Sequence, residues 1–348
     1  MSKPSVLLTM IVRNESRIIE RCLESALPWI DGYYIIDTGS TDDTVSIIEK
    51  FMESNNVPGQ VDHAEWINYG ANRSELVRNA HDYGERYDYL LLADADMVFH
   101  GDSGDLDGIT EPSYLIRLGG GFEWWMCYLV RNDLHWRYEG VTHEFLTADE
   151  PFVSTKLDGF WIEHFGDGGN RPDKFTNDRD LLRAEYERNP TDVRTVFYLA
   201  QTEQGLDNTD ESISLYRYRV SLGGWEEEVY WSLYQVAEMT GLLDDYLAAW
   251  NYRPTRPEAL HKILVNSNSD ANHAFTVALG RYYITQPPCE DILFVERDSE
   301  DVGIPLQLAV AEWWTGEHQT AKQRFLSLLA KDISDETREL VVANLEYC

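Results

Sequence analysis

The sequence predicts an α/β domain followed by an all-helical domain. Two observations carry this. Strand-type runs that are apolar on both faces alternate with helical patterns in the first part of the chain, and from about residue 174 of 348 only helical patterns remain. Ser5 to Val12 is almost wholly apolar and runs into Arg13-Asn14-Glu15. Tyr33–Ile36 stops at Asp37, and Tyr89–Ala93 stops at Asp94. Strands without a polar face belong to a mostly parallel sheet with helices on both sides. Val61 to Trp66 reads as a short further strand.

Between the runs, apolar residues recur at helical spacing. Ile18, Ile19, Cys22, Leu23, Ala26 and Leu27 form one face. Val45, Ile48, Phe51 and Met52 form another, after Ser40-Thr41-Asp42-Asp43, which supplies cap oxygens and acidic first-turn groups. Leu76, Val77 and Ala80 mark a third helix, opened in this reading by Asn72-Arg73.

The later helices have their own start and stop signals. Asn189-Pro190 reads as an N-cap with Pro at the first helical position, followed by Val193, Val196, Phe197 and Ala200. A second helix stops at Gly223-Gly224, and a third opens on Glu226-Glu227-Glu228, which suits the helix dipole. Tyr198-Leu199-Ala200 and Tyr234-Gln235-Val236-Ala237 are offset by nearly the tetratricopeptide period. Further helices are expected over 257–265, 272–284, 305–315, 320–330 and 335–345. The predicted division is therefore 1–173 and 174–348. The helical part has three readings: a structural cap, a dimerisation surface giving a homodimer, or a holder of the acceptor.

Composition narrows the class. Acidic residues number 61 against 29 basic, a formal charge of −32, which disfavours non-specific binding to polyanions and anionic membranes. The best local basic stretch is Arg171, Lys174, Arg179 and Arg183, diluted by Asp173, Asp178 and Asp180. No apolar run is long enough to span a bilayer, and the N-terminus lacks a signal-peptide pattern. The four cysteines are far apart, so reduced thiols in the cytoplasm (the host cytoplasm for a phage-encoded protein) are expected.

The chemistry is concentrated at strand ends. Asp94-Ala95-Asp96 places two carboxylates two residues apart after an apolar strand, where ligands of open α/β sheets bind. Such a pair can grip a divalent cation and leave positions for phosphate oxygens; alone it also describes a solvated turn. Asp37, before a Gly turn and a capped helix, can accept from a ribose hydroxyl or a base N–H. Arg13, Asn14 and Glu15 crowd the first strand end, and Arg73 offers a cation to a pyrophosphate.

Met10-Ile11-Val12-Arg13-Asn14-Glu15, Ile36-Asp37-Thr38-Gly39-Ser40-Thr41-Asp42-Asp43-Thr44 and Leu92-Ala93-Asp94-Ala95-Asp96, in that order and spacing, resemble family 2 glycosyltransferases of the GT-A fold. The segments 136–144, 164–169 and 222–228 resemble a bacterial and phage subgroup with C-terminal tetratricopeptide repeats, so the resemblance covers nearly the whole chain. It implies a GT-A domain, a UDP-sugar donor and Mn²⁺ or Mg²⁺. It further implies that Asp37 holds uracil or ribose, that Arg13 and Glu15 line the nucleoside pocket, and that Arg73 reaches the base or diphosphate. Asp94 would contact ribose or metal, Asp96 the metal, and His164 the metal or diphosphate. Glu144 would be the general base, with His143 flanking it or binding the diphosphate. Gly70-Ala71-Asn72-Arg73 departs from the Ala-Arg-Asn of many relatives.

Other roles stay open at this level. His164 also reads as a core histidine, Glu139 and Asp167 compete as bases, and Trp124, Trp125 and Tyr128 read as core or as sugar-stacking rings. The leading expectation is an inverting, metal-dependent hexosyl transfer, with glucose as one candidate, to a hydroxyl of a saccharide, a lipid-linked glycan or a peptide. A phage enzyme acting on a hydroxymethylated pyrimidine of DNA is the alternative acceptor reading. Two other classes compete: a haloacid-dehalogenase-type phosphatase with Asp94 as nucleophile, and a non-catalytic repeat scaffold.

Overall fold

The computed structural model describes residues 3–84, 86–119, 124–168 and 174–347. The chain divides into two compact units, Met1–Glu185 and Tyr186–Cys348. The division falls later than the change of texture at residue 174, because the helix at 174–188 is grouped mostly with the first unit.

The first unit contains β1 (Val6–Val12), α1 (Ile19–Ala26), β2 (Gly32–Asp37), α2 (Thr44–Ser54), β3 (Gly59–His63), α3 (Tyr69–Tyr83), β4 (Tyr89–Ala93) and β5 (Met97–His100). A 3₁₀ turn at Ser103–Leu106 precedes β6 (Ser113–Gly119), β7 (Trp124–Arg131), β8 (Trp136–Glu139), β9 (Phe145–Ala148) and β10 (Ser154–His164), and α4 (Lys174–Arg188) follows. One eight-stranded sheet has the order β3-β2-β1-β4-β7-β6-β10-β5, and β8-β9 form a separate hairpin. The strands β3, β2, β1 and β4 are parallel. β7 is antiparallel to β4 and to β6, and β5 is antiparallel to β10.

The two-faced apolar runs are buried as that pattern demands. Every residue of β2 and β4 is buried, and Thr9 of β1 satisfies its hydroxyl on the Leu91 carbonyl. One face packs Ile19, Cys22 and Leu23 of α1 with Ile48 and Met52 of α2; the other packs Leu76, Val77 and Ala80 of α3. Burying each such Leu or Val stabilises the fold by about 1.5–3 kcal/mol.

Several starts differ from the sequence reading. Asn68, not Asn72, caps α3 by accepting from the Ala71 amide, so Arg73 lies within the helix. Asn72 is instead fully buried, accepting from Ile67 N and donating to the Glu65 carbonyl. Likewise Asp192, not Asn189, caps the helix that follows, accepting from Thr195 N at 2.9 Å. β5, β6, β7 and β10 of the sheet and the separate β8–β9 hairpin were not legible as strands.

The second unit holds α5 (Val193–Gly205), α6 (Thr209–Leu222), α7 (Glu226–Thr240), α8 (Leu243–Tyr252) and α9 (Pro257–Ser269). It continues with α10 (His273–Tyr283), a π-helical turn at Ser299–Gly303, α11 (Ile304–Trp314), α12 (His318–Leu329) and α13 (Asp335–Leu345). Sequential helices pack in pairs, as a repeat array requires. Buried ion pairs tie α6 to α7 through Arg219 and Glu228 and hold the start of α9 through Arg256 and Glu258. Among the described residues no helix is long and apolar enough to cross a membrane.

Candidate active site

The carboxyl ends of β1, β2 and β4 lie at one edge, because the register pairs Val12 with Asp37 and Met10 with Ala93. The loops leaving them are knitted together. Asn14 adopts φ +57°, a conformation Asn tolerates better than most residues, and its amide donates to Ser40 Oγ while its Oδ1 accepts from Thr41 N. Glu15 N donates to Thr44 Oγ1. Asp37 is buried and accepts from Gly39 N and Ser40 N, with His63 Nδ1 at 3.3 Å. Arg13, by contrast, is exposed.

Asp42 fastens the two loops by accepting from Ser16 N and Thr44 N. Burial opposes its charge, but bonds from Ser16 and Thr44 outweigh that and lower its pKa to about 2. A depressed carboxyl stabilises the fold above its unfolded value of about 3.9, and the benefit is lost as pH falls through the folded value. The melting-temperature advantage of the native protein over Asp42→Asn should therefore hold near neutrality and disappear between about pH 4 and pH 2. A gap that is constant with pH would exclude this role.

After β4, Asp94 and Asp96 part company. Asp94 Oδ1 pairs with Arg73 Nη2 at 2.5 Å, and the same guanidinium presents Nε to Glu144 Oε1 at 2.8 Å. Burial opposes the Arg73 charge, yet Asp94 and Glu144 more than compensate and raise its pKa well above the ordinary arginine value. Tyr138 lies 5.8 Å below the guanidinium, its hydroxyl pKa pushed up by burial. Asp96 Oδ2 faces His164 Nε2 at 3.3 Å, and its backbone carbonyl accepts from Phe165 N. A Cβ added at Gly168 would lie 3.5 Å from Glu15 Oε1 and 3.6 Å from Asp96 Oδ2, so these two carboxylates converge on that glycine.

Glu144 reaches this site from the loop of the β8–β9 hairpin, which is bound to α3. Ser74 Oγ donates to the Tyr138 carbonyl and accepts from its amide, and Tyr69 N donates to the Val141 carbonyl. His143 takes φ +51°. Thr142 Oγ1 donates to buried Asp178 of α4 at 3.0 Å, and burial raises the Asp178 pKa. The close approach needs Gly70, where a Cβ would meet the Gly140 carbonyl oxygen at 1.9 Å. Gly70→Ala should cost about 1–3 kcal/mol through forced backbone shifts, read as a lower melting temperature with weaker Glu144-dependent activity. Unchanged stability would mean that the loop moves freely.

The rival bases each pair with a cation of their own. Asp167 is clamped by both terminal nitrogens of Arg21, which also covers the Phe165 ring. Glu139 pairs with Arg137 on the surface. Tyr128 packs between the two apolar layers, and Lys156 covers the Trp125 ring. The Trp124 side chain and Arg171 lie outside the described residues, and Arg179 is paired with Asp180. Sequence reading missed Arg21, His63 and Tyr138. Each sits beside a polar residue distant in sequence, so only pairing could reveal it.

Two ligands at about 2.1 Å and at right angles on an octahedral cation stand about 3 Å apart. The Asp96–His164 separation of 3.3 Å is compatible with such a pair. Asp94, expected as a further ligand, is engaged by Arg73. Among the described residues no three His, Cys, Asp or Glu side chains form a cage of their own.

A family model covers the stretch from β1 through the Asp94-x-Asp96 turn. Residues 8–103 match glycosyl transferase family 2. That match takes in Arg13, Glu15, Asp37, Arg73, Asp94 and Asp96, whereas Glu144 and His164 lie beyond it. Among solved structures, S. aureus TarS in complex with UDP-GlcNAc is similar at 12% identity, over 68% of this chain and 89% of that one, with a TM-score of 0.38. The chain spans 55% of a longer TarS structure. MamA is similar at 14% identity over 45% of this chain and 82% of its own, with a TM-score of 0.34. A tetratricopeptide repeat protein from Parabacteroides merdae is similar at 15% identity over 50% of this chain and 66% of its own, with a TM-score of 0.37.

Proposed function

We propose that this chain is an inverting glycosyltransferase that moves a hexose, such as glucose, from a UDP-sugar to a hydroxyl acceptor. The observation that carries the reading is the convergence of Asp94 and Glu144 on Arg73, next to Asp96 facing His164, at the end of a strand within the family 2 match.

Arg13, Glu15 and Asp37 line the nucleoside side, where Asp37 keeps acceptor capacity beyond the two amides it already holds. Asp96 and His164 would hold Mn²⁺ or Mg²⁺ against the diphosphate. Such an ion neutralises the charge that develops on the leaving phosphate. Glu144 takes the proton of the acceptor hydroxyl. The oxygen attacks the anomeric carbon from the face opposite the diphosphate, the sugar–phosphate bond breaks, and UDP leaves. The sugar passes through a state with oxocarbenium character, which the half-buried carboxylates nearby stabilise electrostatically. The helical unit is assigned a role in holding the acceptor or supporting the first unit.

A panel of nucleotide sugars incubated with the protein and Mn²⁺ tests this, with UDP release as the readout. Release from one UDP-sugar, accelerated by a saccharide, a peptide or hydroxymethylated DNA, is the expected result. Release from none of the panel would overturn the proposal.

A further inference from the structure

We propose that Arg73 is a positioning residue for the base, fixing where Glu144 stands beside Asp94. The inference rests on the glycosyltransferase reading of Glu144. It is carried by geometry: one largely buried guanidinium donates from Nη2 to Asp94 and stands with Nε 2.8 Å from Glu144 Oε1, an ion-pair contact in which the Nε–H makes no hydrogen bond. The guanidinium therefore stands between two carboxylates from different parts of the chain, one after β4 and one from the β8–β9 loop. Without the guanidinium, two carboxylates would face each other across a space closed by Tyr138 and by the α3–hairpin contact at Gly70. Like charges so placed repel, and Glu144 would lose its set position.

Among the described residues, ionisable groups stand near the pair from three strands. Asp94 comes from the end of β4, Tyr128 from β7 and Tyr138 from β8, with Asp96 and Cys127 beyond and His143 next in the chain. Burial pushes both tyrosine hydroxyls up, and the Cys127 thiol up to about 12. The thiol and both phenols therefore stay neutral at working pH, leaving Arg73 as the cation that meets Glu144 directly. Arginine suits the place because its planar fork serves two partners at fixed angles, whereas lysine is a point charge.

The test compares the native protein with Arg73→Gln and Arg73→Lys. UDP release is followed with the UDP-sugar selected from the panel, kcat and donor KM are separated, and UDP affinity is measured by calorimetry. Arg73→Gln should lower kcat tenfold or more, with donor KM within about threefold and UDP affinity unchanged. Arg73→Lys, which keeps the charge, should recover part of the rate. An unmoved kcat in Arg73→Gln would overturn the inference, as would a loss confined to donor KM or no recovery in Arg73→Lys. If the native protein turns over no nucleotide sugar, the enzyme reading fails; native turnover with an unmoved kcat in Arg73→Gln sinks the inference alone.

Discussion

Glu144→Gln should keep UDP binding and lose sugar transfer by about a hundredfold to ten-thousandfold, the usual span for removing a general base. The substitution preserves shape. Glutamine keeps an oxygen beside Arg73 Nε, which stands 2.8 Å from the carboxylate as an ion-pair contact. It cannot take a proton. The loop that carries residue 144 is fixed by other bonds, Ser74 with Tyr138, Tyr69 with Val141 and Thr142 with Asp178, so the variant should fold as the native chain does. The rivals provide the contrast. Asp167→Asn breaks a bidentate clamp on Arg21, and Glu139→Gln weakens an exposed pair with Arg137, so neither should lose more than a few fold in rate. Single-turnover transfer together with calorimetric UDP binding separates these cases. Full transfer by Glu144→Gln, or collapse in Asp167→Asn alone, would remove Glu144 as the base.

How much of this could be read from the chain depends on the kind of signal. β1, β2 and β4 were legible because a strand buried on both faces needs an unbroken apolar run, and each run ends in a charged or polar cluster. The antiparallel half was not. β10 alternates irregularly and its register shifts between Lys156 and Trp161, while β8 and β9 are four-residue strands of mixed character. Their identity comes from pairing with distant partners, which no local window contains. The site divides in the same way. Asp37, Asp94 and Asp96 stand at strand ends and announce themselves. The partnership of Arg73 with Glu144 joins residues 71 positions apart (144 − 73) through a glycine-to-glycine approach at Gly70 and Gly140. The sequence placed Arg73 at a helix start facing phosphate. Asn68 takes the cap and moves Arg73 one turn inward, toward the carboxylates.

That inward shift bears on the two acids of the Asp-x-Asp pair, which should behave differently. Asp96→Ala should reduce UDP affinity in Mn²⁺ to the level measured with EDTA, a loss of about a hundredfold or more, because outer-shell changes alone cost ten- to hundredfold. Asp96 touches His164 through its side chain, whereas its backbone carbonyl holds Phe165, so truncation spares the β-strand junction. His164→Ala should act in the same direction. Asp94→Asn should leave Mn²⁺-dependent UDP affinity nearly intact, because its carboxylate is committed to Arg73, and should instead depress the transfer rate through the Arg73–Glu144 pair. Calorimetric titration of UDP with and without Mn²⁺ distinguishes the two acids. Equal loss of metal-dependent affinity in both variants would mean that Asp94 leaves Arg73 to join the cation when the diphosphate arrives. Unaltered affinity in Asp96→Ala would place the cation elsewhere, and the Asp96–His164 pair would then be an ordinary hydrogen-bonded contact.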